Sequence, residues 1–272
     1  YKRQIKDIVK LKVGIFDSGI GGFTILRSLL ETRKDVEVYY LADTKRVPYG
    51  NKDIEHIRFI AREICNWFKD KNLDALLIAC NTTNACALDI LEDNLEIPCF
   101  DLIHSVSETV TKNRIGVLGT SATIKSSYYK KIIESKKENV KVIQQACPQF
   151  VSEIEKPNQD INKLNLLSDL YINPLLKENI EEIILGCSHY PLIYNVLKNK
   201  IHSNIRIIDP SAALVDKFNN TFLIPKKDYY ECISQDNIKF FVTAKSEEFS
   251  KKVKYWLEIN KEIKLVYLRS ND

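Results

Sequence analysis

Nothing in this sequence of 272 residues reads as a membrane span, a secretion signal or a nucleic-acid arm. Its longest clean apolar stretch, Ala75 to Cys80, is far shorter than the ~20 residues that a spanning helix needs. The basic start, Tyr1-Lys2-Arg3-Gln4-Ile5-Lys6, is followed by no apolar core of signal-peptide length. No run of five basic residues occurs. With 40 Lys+Arg against 36 Asp+Glu, the formal charge of +4 is too weak to announce a nucleic-acid binder. Methionine is absent even at position 1, which points to a natural start upstream of Tyr1. Together these absences predict a cytoplasmic protein with neither membrane nor nucleic-acid partners.

Cysteine is present but unpaired in pattern. Cys65, Cys80, Cys86, Cys99, Cys147, Cys187 and Cys232 include no C-x-x-C, and an odd number in a long chain argues against a disulfide framework or a zinc ribbon. Each is then either a small buried hydrophobe or a reactive thiol. Apolar residues at 44% and charged residues at 28% are ordinary for a globular protein, and the length favours two domains.

Short apolar, β-branched runs alternate with helical patterns. Strands are predicted at 12–16, 36–42, 73–79, 98–100, 114–118, 140–145, 181–185, 206–208 and 239–242. Between them, Ile54, Ile57, Ile60, Ala61, Ile64 and Phe68 fall at helical spacing, and 246–257 reads as a further helix. Strand then helix, repeated, means parallel sheets covered on both faces, the α/β class. The polar stretch 158–165 reads as a loop insertion.

The chain also echoes itself. Val13-Gly14-Ile15 resembles Ile115-Gly116-Val117 at an offset of 102, and Val36–Asp43 resembles Val140–Cys147 at 104. Leu73–Thr82 resembles Ile180–His189 at 107, and Ile97–Asp101 resembles Ile205–Asp209 at 108. Four matches in order, with an offset that drifts one way, predict two similar α/β domains related by a pseudo-two-fold axis. One comprises residues 1–104 plus 214–272; the other comprises 105–213.

Ligands of such sheets bind where strand ends turn into helix N-termini, whose free N–H groups hold carboxylates without arginine. Each half places one cysteine, Cys80 or Cys187, at an equivalent strand end. Two thiols facing one another across a cleft suit one reaction class. One thiolate removes a proton from a stereocentre, and the other thiol returns a proton to the opposite face. A helix N-terminus is expected to lower the thiol pKa and so allow thiolate and thiol to coexist. Converging N–H donors stabilise the carbanion, and no cofactor is required. The residues thus reach a cofactor-independent racemase or epimerase of a small carboxylate.

The ordered segments Val13–Gly22, Val47-Pro48-Tyr49-Gly50, Ala79-Cys80-Asn81-Thr82, Gly119–Thr123 and Gly186–Pro191 resemble the successive motifs of the glutamate racemases, over nearly the whole chain. The resemblance implies interconversion of L- and D-glutamate for peptidoglycan, with Cys80 and Cys187 as the two bases. It implies assistance from Asp17, His189 and the glutamate after Cys147-Pro148-Gln149-Phe150-Val151, best matched by Glu155. It implies substrate contacts from Asp17, Ser18, Tyr49, Gly50, Asn81, Thr82, Ser188 and His189, with Thr120 and Thr123 nearby, and a homodimer. Ser188 replaces the family's usual threonine, and Lys156-Pro157 departs from the usual residues after Glu155. Aspartate racemases share the two-thiol plan, but their first glycine motif differs. A third reading is a non-catalytic amino-acid-binding or regulatory protein, since some members of the family are thought to bind DNA gyrase.

Other residues keep plainer readings. Cys65, Cys86, Cys99, Cys147 and Cys232 are read as packing residues, and His56, His104 and His202 as surface or core-edge groups. Cys80 with Cys187-x-His189 lacks a fourth zinc ligand. Gly19-x-Gly21-Gly22 is not a dinucleotide fingerprint, and Asp17 ahead of it would repel a pyrophosphate. Asp17 could also cap the helix that follows it.

Overall fold

In the computed structural model, which describes residues 10–223 and 237–269, strands and helices alternate as the pattern predicts. Cys232 and the basic start lie outside the described residues. The first lobe runs β1 (Leu11–Asp17), α1 (Phe23–Thr32), β2 (Val36–Ala42), α2 (Ile54–Lys69), β3 (Ala75–Ile78), α3 (Asn81–Asn94), β4 (Cys99–Asp101) and α4 (Leu102–Ser107). The second runs β5 (Arg114–Gly119), α5 (Ser121–Ser126), α6 (Tyr128–Lys136), β6 (Lys141–Ala146), α7 (Phe150–Ile154), α8 (Ile161–Lys177), β7 (Glu182–Gly186), α9 (Tyr194–Lys198) and β8 (Arg206–Ile208). The chain then returns through α10 (Pro210–Thr221), β9 (Ile238–Val242), α11 (Ser246–Leu257) and β10 (Ile263–Leu265).

Among the described residues every strand pairing is parallel, and the two sheets share one plan. The first is ordered β10-β9-β2-β1-β3-β4 and the second β6-β5-β7-β8, so β1 to β4 correspond to β5 to β8. Register makes the correspondence quantitative. Val13 pairs with Val38 and Ala75, while Ile115 pairs with Val142 and Glu182. Leu76 pairs with Cys99, and Ile183 with Ile207. These partners reproduce the sequence offsets of 102, 104, 107 and 108. The capping chemistry repeats as well: Asp101 accepts from His104 N and Asp209 from Ser211 N, each opening the helix after the fourth strand.

Local sequence explains the elements that carry the site. Asp53 caps α2, and the helix buries Ile57, Ile60, Ala61, Ile64, Cys65 and Phe68 on one face. Truncating one of its buried isoleucines to alanine costs about 2–5 kcal/mol. In α11, buried Phe249 and Val253 dock against the first lobe, with Phe249 edge-on to Phe23 at 5.4 Å. No helix among the described residues is long and apolar enough to cross a membrane.

Two expectations need correction. The stretch 158–165 is not all loop, because Asp160 caps α8 and helix begins at Ile161. Strand β10 was not foreseen; it pairs with β9 at the edge of the first sheet, and its side chains are largely exposed.

Candidate active site

Cys80 follows β3 and opens α3, and Cys187 follows the equivalent strand β7. Both are buried, and both line one small, narrow cavity. Its other walls are Ser18, Tyr49, Gly50, Asn81, Thr82, Thr120, Val151, Ser188 and His189. Of the residues singled out from sequence, Asp17, Thr123 and Glu155 stand behind this lining and bond to it. Val151 is the one wall residue not foreseen; it is apolar and carries no chemical signature.

The two lobes approach very closely here, and glycine permits it. A Cβ on Gly21 would lie 2.2 Å from the Ser188 Oγ, and one on Gly50 would lie 2.4 Å from the Thr120 Cβ. Neither glycine has a positive φ, so close approach is what both positions require. Polar bonds cross the same gap. The Ser188 hydroxyl donates to Asp17 Oδ1 at 2.9 Å, the Tyr129 hydroxyl to Asn81 Oδ1 at 2.6 Å, and Ala122 N to the Gly50 carbonyl at 2.9 Å. Thr82 and Thr120 share a hydroxyl bond of 3.0 Å, and Thr123 joins Thr120 at 2.9 Å.

Asp17 is buried at the end of β1, where its Oδ2 accepts from Gly19 N at 2.9 Å. Burial pushes its carboxyl above the usual range, despite the opposing pull of His189, the Gly19 N–H and the Ser188 hydroxyl. It does not cap α1, whose N-cap is Gly22.

The Cys80 thiol departs from expectation. Burial, with Asp17 adding to it, pushes the thiol up to about 12. The Thr83 hydroxyl and backbone N–H and the Ser18 hydroxyl pull the other way without prevailing. The start of α3 is therefore not enough to lower this thiol: removal from water next to a carboxylate outweighs a partial helix charge. Among the described residues, no group makes a hydrogen bond of good geometry to the buried Thr83 hydroxyl.

The Cys187 side is ionic. Its Sγ lies 4.0 Å from His189 Nδ1, and His189 Nε2 lies 2.7 Å from Glu155 Oε1. Burial alone would lower the His189 pKa, but Cys187 and Glu155 outweigh it and raise it well above the usual value. Burial likewise works against the Glu155 carboxylate, yet His189 and Lys252 hold it at about 2. Lys252 Nζ donates to Glu155 Oε2. Sequence reasoning missed Lys252, which lies 97 residues from Glu155 and carries no motif.

The Tyr49 ring lines the cavity, but its hydroxyl donates to Asp43 Oδ2 at 2.5 Å. Arg46 and Thr243 hold the same carboxylate at 2.5 and 2.6 Å, a cluster also missed. Among the remaining cysteines, burial raises Cys65 and Cys86 to about 11, Cys99 to about 12 and Cys147 further still. His56 and His202 are exposed and His104 half-buried.

Comparison with known proteins gives one answer. Residues 24–218 match the family model of Asp/Glu/hydantoin racemases. A glutamate racemase of Prochlorococcus marinus (strain NATL1A) is 43% identical over 261 residues, covering 95% of this chain and 98% of its own. A crystal structure of a glutamate racemase isoform from Bacillus anthracis superposes with a TM-score of 0.86 at 30% identity, over 96% of this chain and 98% of that one. A glutamate racemase of Francisella tularensis, solved in complex with D-glutamate, gives 0.85 at 30% identity over 95% and 98%. The chain belongs to the Asp/Glu/hydantoin racemase family.

Proposed function

We propose that this chain is a cofactor-independent glutamate racemase in which Cys80 and Cys187 are the two bases. The observation that carries the reading is that two thiols at the ends of equivalent strands line a single buried cavity. One thiolate takes the α-proton of bound glutamate, and the other thiol donates its proton to the opposite face of the carbanion. In the reverse direction the roles exchange, so no proton is lost and no redox change occurs. A bound amino acid brings its ammonium to a cavity whose Cys80 side holds a buried carboxylate, Asp17, and that positive charge favours the Cys80 thiolate. The walls seen from the cavity include hydroxyls and helix starts but no arginine, which suits a small carboxylate.

The high identity to named glutamate racemases supports glutamate over aspartate as substrate. We assign residues 1–104 plus 214–272 to one domain and 105–213 to the other. We further assign the protein to the cytoplasm, supplying D-glutamate for peptidoglycan, and to a homodimer. A circular-dichroism assay with L-glutamate and L-aspartate tests the substrate: decay of the glutamate signal to zero supports the reading, and decay of the aspartate signal alone overturns it. A protein that binds glutamate without racemising it is a regulatory binder instead.

A further inference from the structure

We propose that Lys252 is a positioning residue for the Cys187 side of this reaction, holding Glu155 against His189 from outside the cavity. The inference rests on the racemase reading above. Glu155 has a cationic partner on each carboxylate oxygen: His189 Nε2 on Oε1 at 2.7 Å and Lys252 Nζ on Oε2. The two partners come from different lobes. Glu155 and His189 follow α7 and β7, whereas Lys252 belongs to α11, docked on the first lobe by Phe249 and Val253. Those two anchors fix the helix rotation, and Lys252 then lines an open vestibule that Glu155 also lines.

Lys252 does not line the cavity that holds the two thiols. Its effect passes along Lys252–Glu155–His189–Cys187. Without it, Glu155 Oε2 would lose its partner and the carboxylate would be free to swing towards Lys45, Lys156 or Lys245 around the vestibule. His189 would then lose the bond that orients its Nδ1 towards Cys187. The other charged groups bearing on His189 and Glu155 are Asp17 and Cys187 on the cavity side, with Glu248 at the vestibule.

The test compares wild type, Lys252→Gln and Lys252→Arg, in both reaction directions, with the His189 titration followed by imidazole NMR. In Lys252→Gln, kcat falls by roughly 10-fold, a fraction of the ~10²–10⁴ that a positioned acid or base contributes, while KM changes by less than about 2-fold. The His189 titration moves downward, because a Glu155 carboxylate that swings away no longer stabilises the imidazolium. Lys252→Arg restores both. A rise in KM alone would make Lys252 a collector of anionic substrate and overturn the proposal. So would a His189 titration that stays in place or moves upward, which would mean that Glu155 keeps its place without Lys252, or a loss that Arg does not repair. A wild type that never racemises glutamate would instead overturn the racemase reading, and the NMR titration, which needs no turnover, would still judge Lys252.

Discussion

Around Cys80 the nearby groups are neutral or anionic: the Thr83 and Ser18 hydroxyls, a backbone N–H and the buried Asp17. Around Cys187 stand a histidine, a carboxylate and a lysine in series. The backbone plan of the two halves is the same down to strand register, yet the chemistry grafted onto it differs. Duplication of a scaffold places two thiols; it does not make them equivalent. A substrate that carries a cation at one carbon and anions at its ends meets a different partner on each face.

The comparison can be broken most directly at the thiols. Cys80→Ser and Cys187→Ser should each lower kcat/KM for glutamate by roughly 10³-fold, since a serine hydroxyl is a far weaker base, with circular dichroism and melting confirming an intact fold. If both variants racemise normally, the two-thiol account fails. Replacing His189 by Asn should weaken only the ionic half, by about 10²-fold in kcat/KM. Since the two enantiomers are equal in free energy, kcat/KM must fall by the same factor in both directions; the separate kcat values should fall unequally. Equal falls would mean that the halves are not chemically distinct.

The neutral half can be sharpened at Thr83. Thr83→Val keeps the shape and removes the hydroxyl that pulls the Cys80 pKa down, so the rate should drop by about 10-fold or less and its pH limb should move upward. Thr83→Ser should keep both. The smallest effect concerns stability. Glu155 is held at about 2, below its unfolded value of 4.5, so its stabilisation is present above pH 4.5 and is lost as pH falls towards 2. Glu155→Gln should remove that part of the acid transition, visible as a shallower loss of stability across this window.

Much of this was readable from the chain because the relevant signals are local or repeated. Strand runs, the drift of the offset and the cysteines at matching ends sufficed to place the two sheets and one shared cavity. Glu155, singled out by its place after Cys147-Pro148-Gln149-Phe150-Val151 despite the unusual Lys156-Pro157 beside it, lies 2.7 Å from His189. What could not be read depends on three-dimensional approach. Lys252 reaches Glu155 only because α11 returns to the first lobe, and a lysine on an amphipathic helix looks like any solvated one. Tyr49 turns its hydroxyl to Asp43 because a buried carboxylate lies beneath it, which no spacing announces. The high pKa of Cys80 follows from complete burial beside Asp17, and a helix start seen in sequence carries no measure of burial.

The central claim is that separate thiols serve opposite faces of one carbon. Converting L-glutamate in D₂O and following the α-position of both enantiomers by mass spectrometry or NMR at early times tests it most directly. Two separate acid/base groups predict that newly formed D-glutamate carries solvent deuterium while recovered L-glutamate still carries its original proton. Deuterium appearing equally early in both, or protium carried from one face to the other, would contradict it.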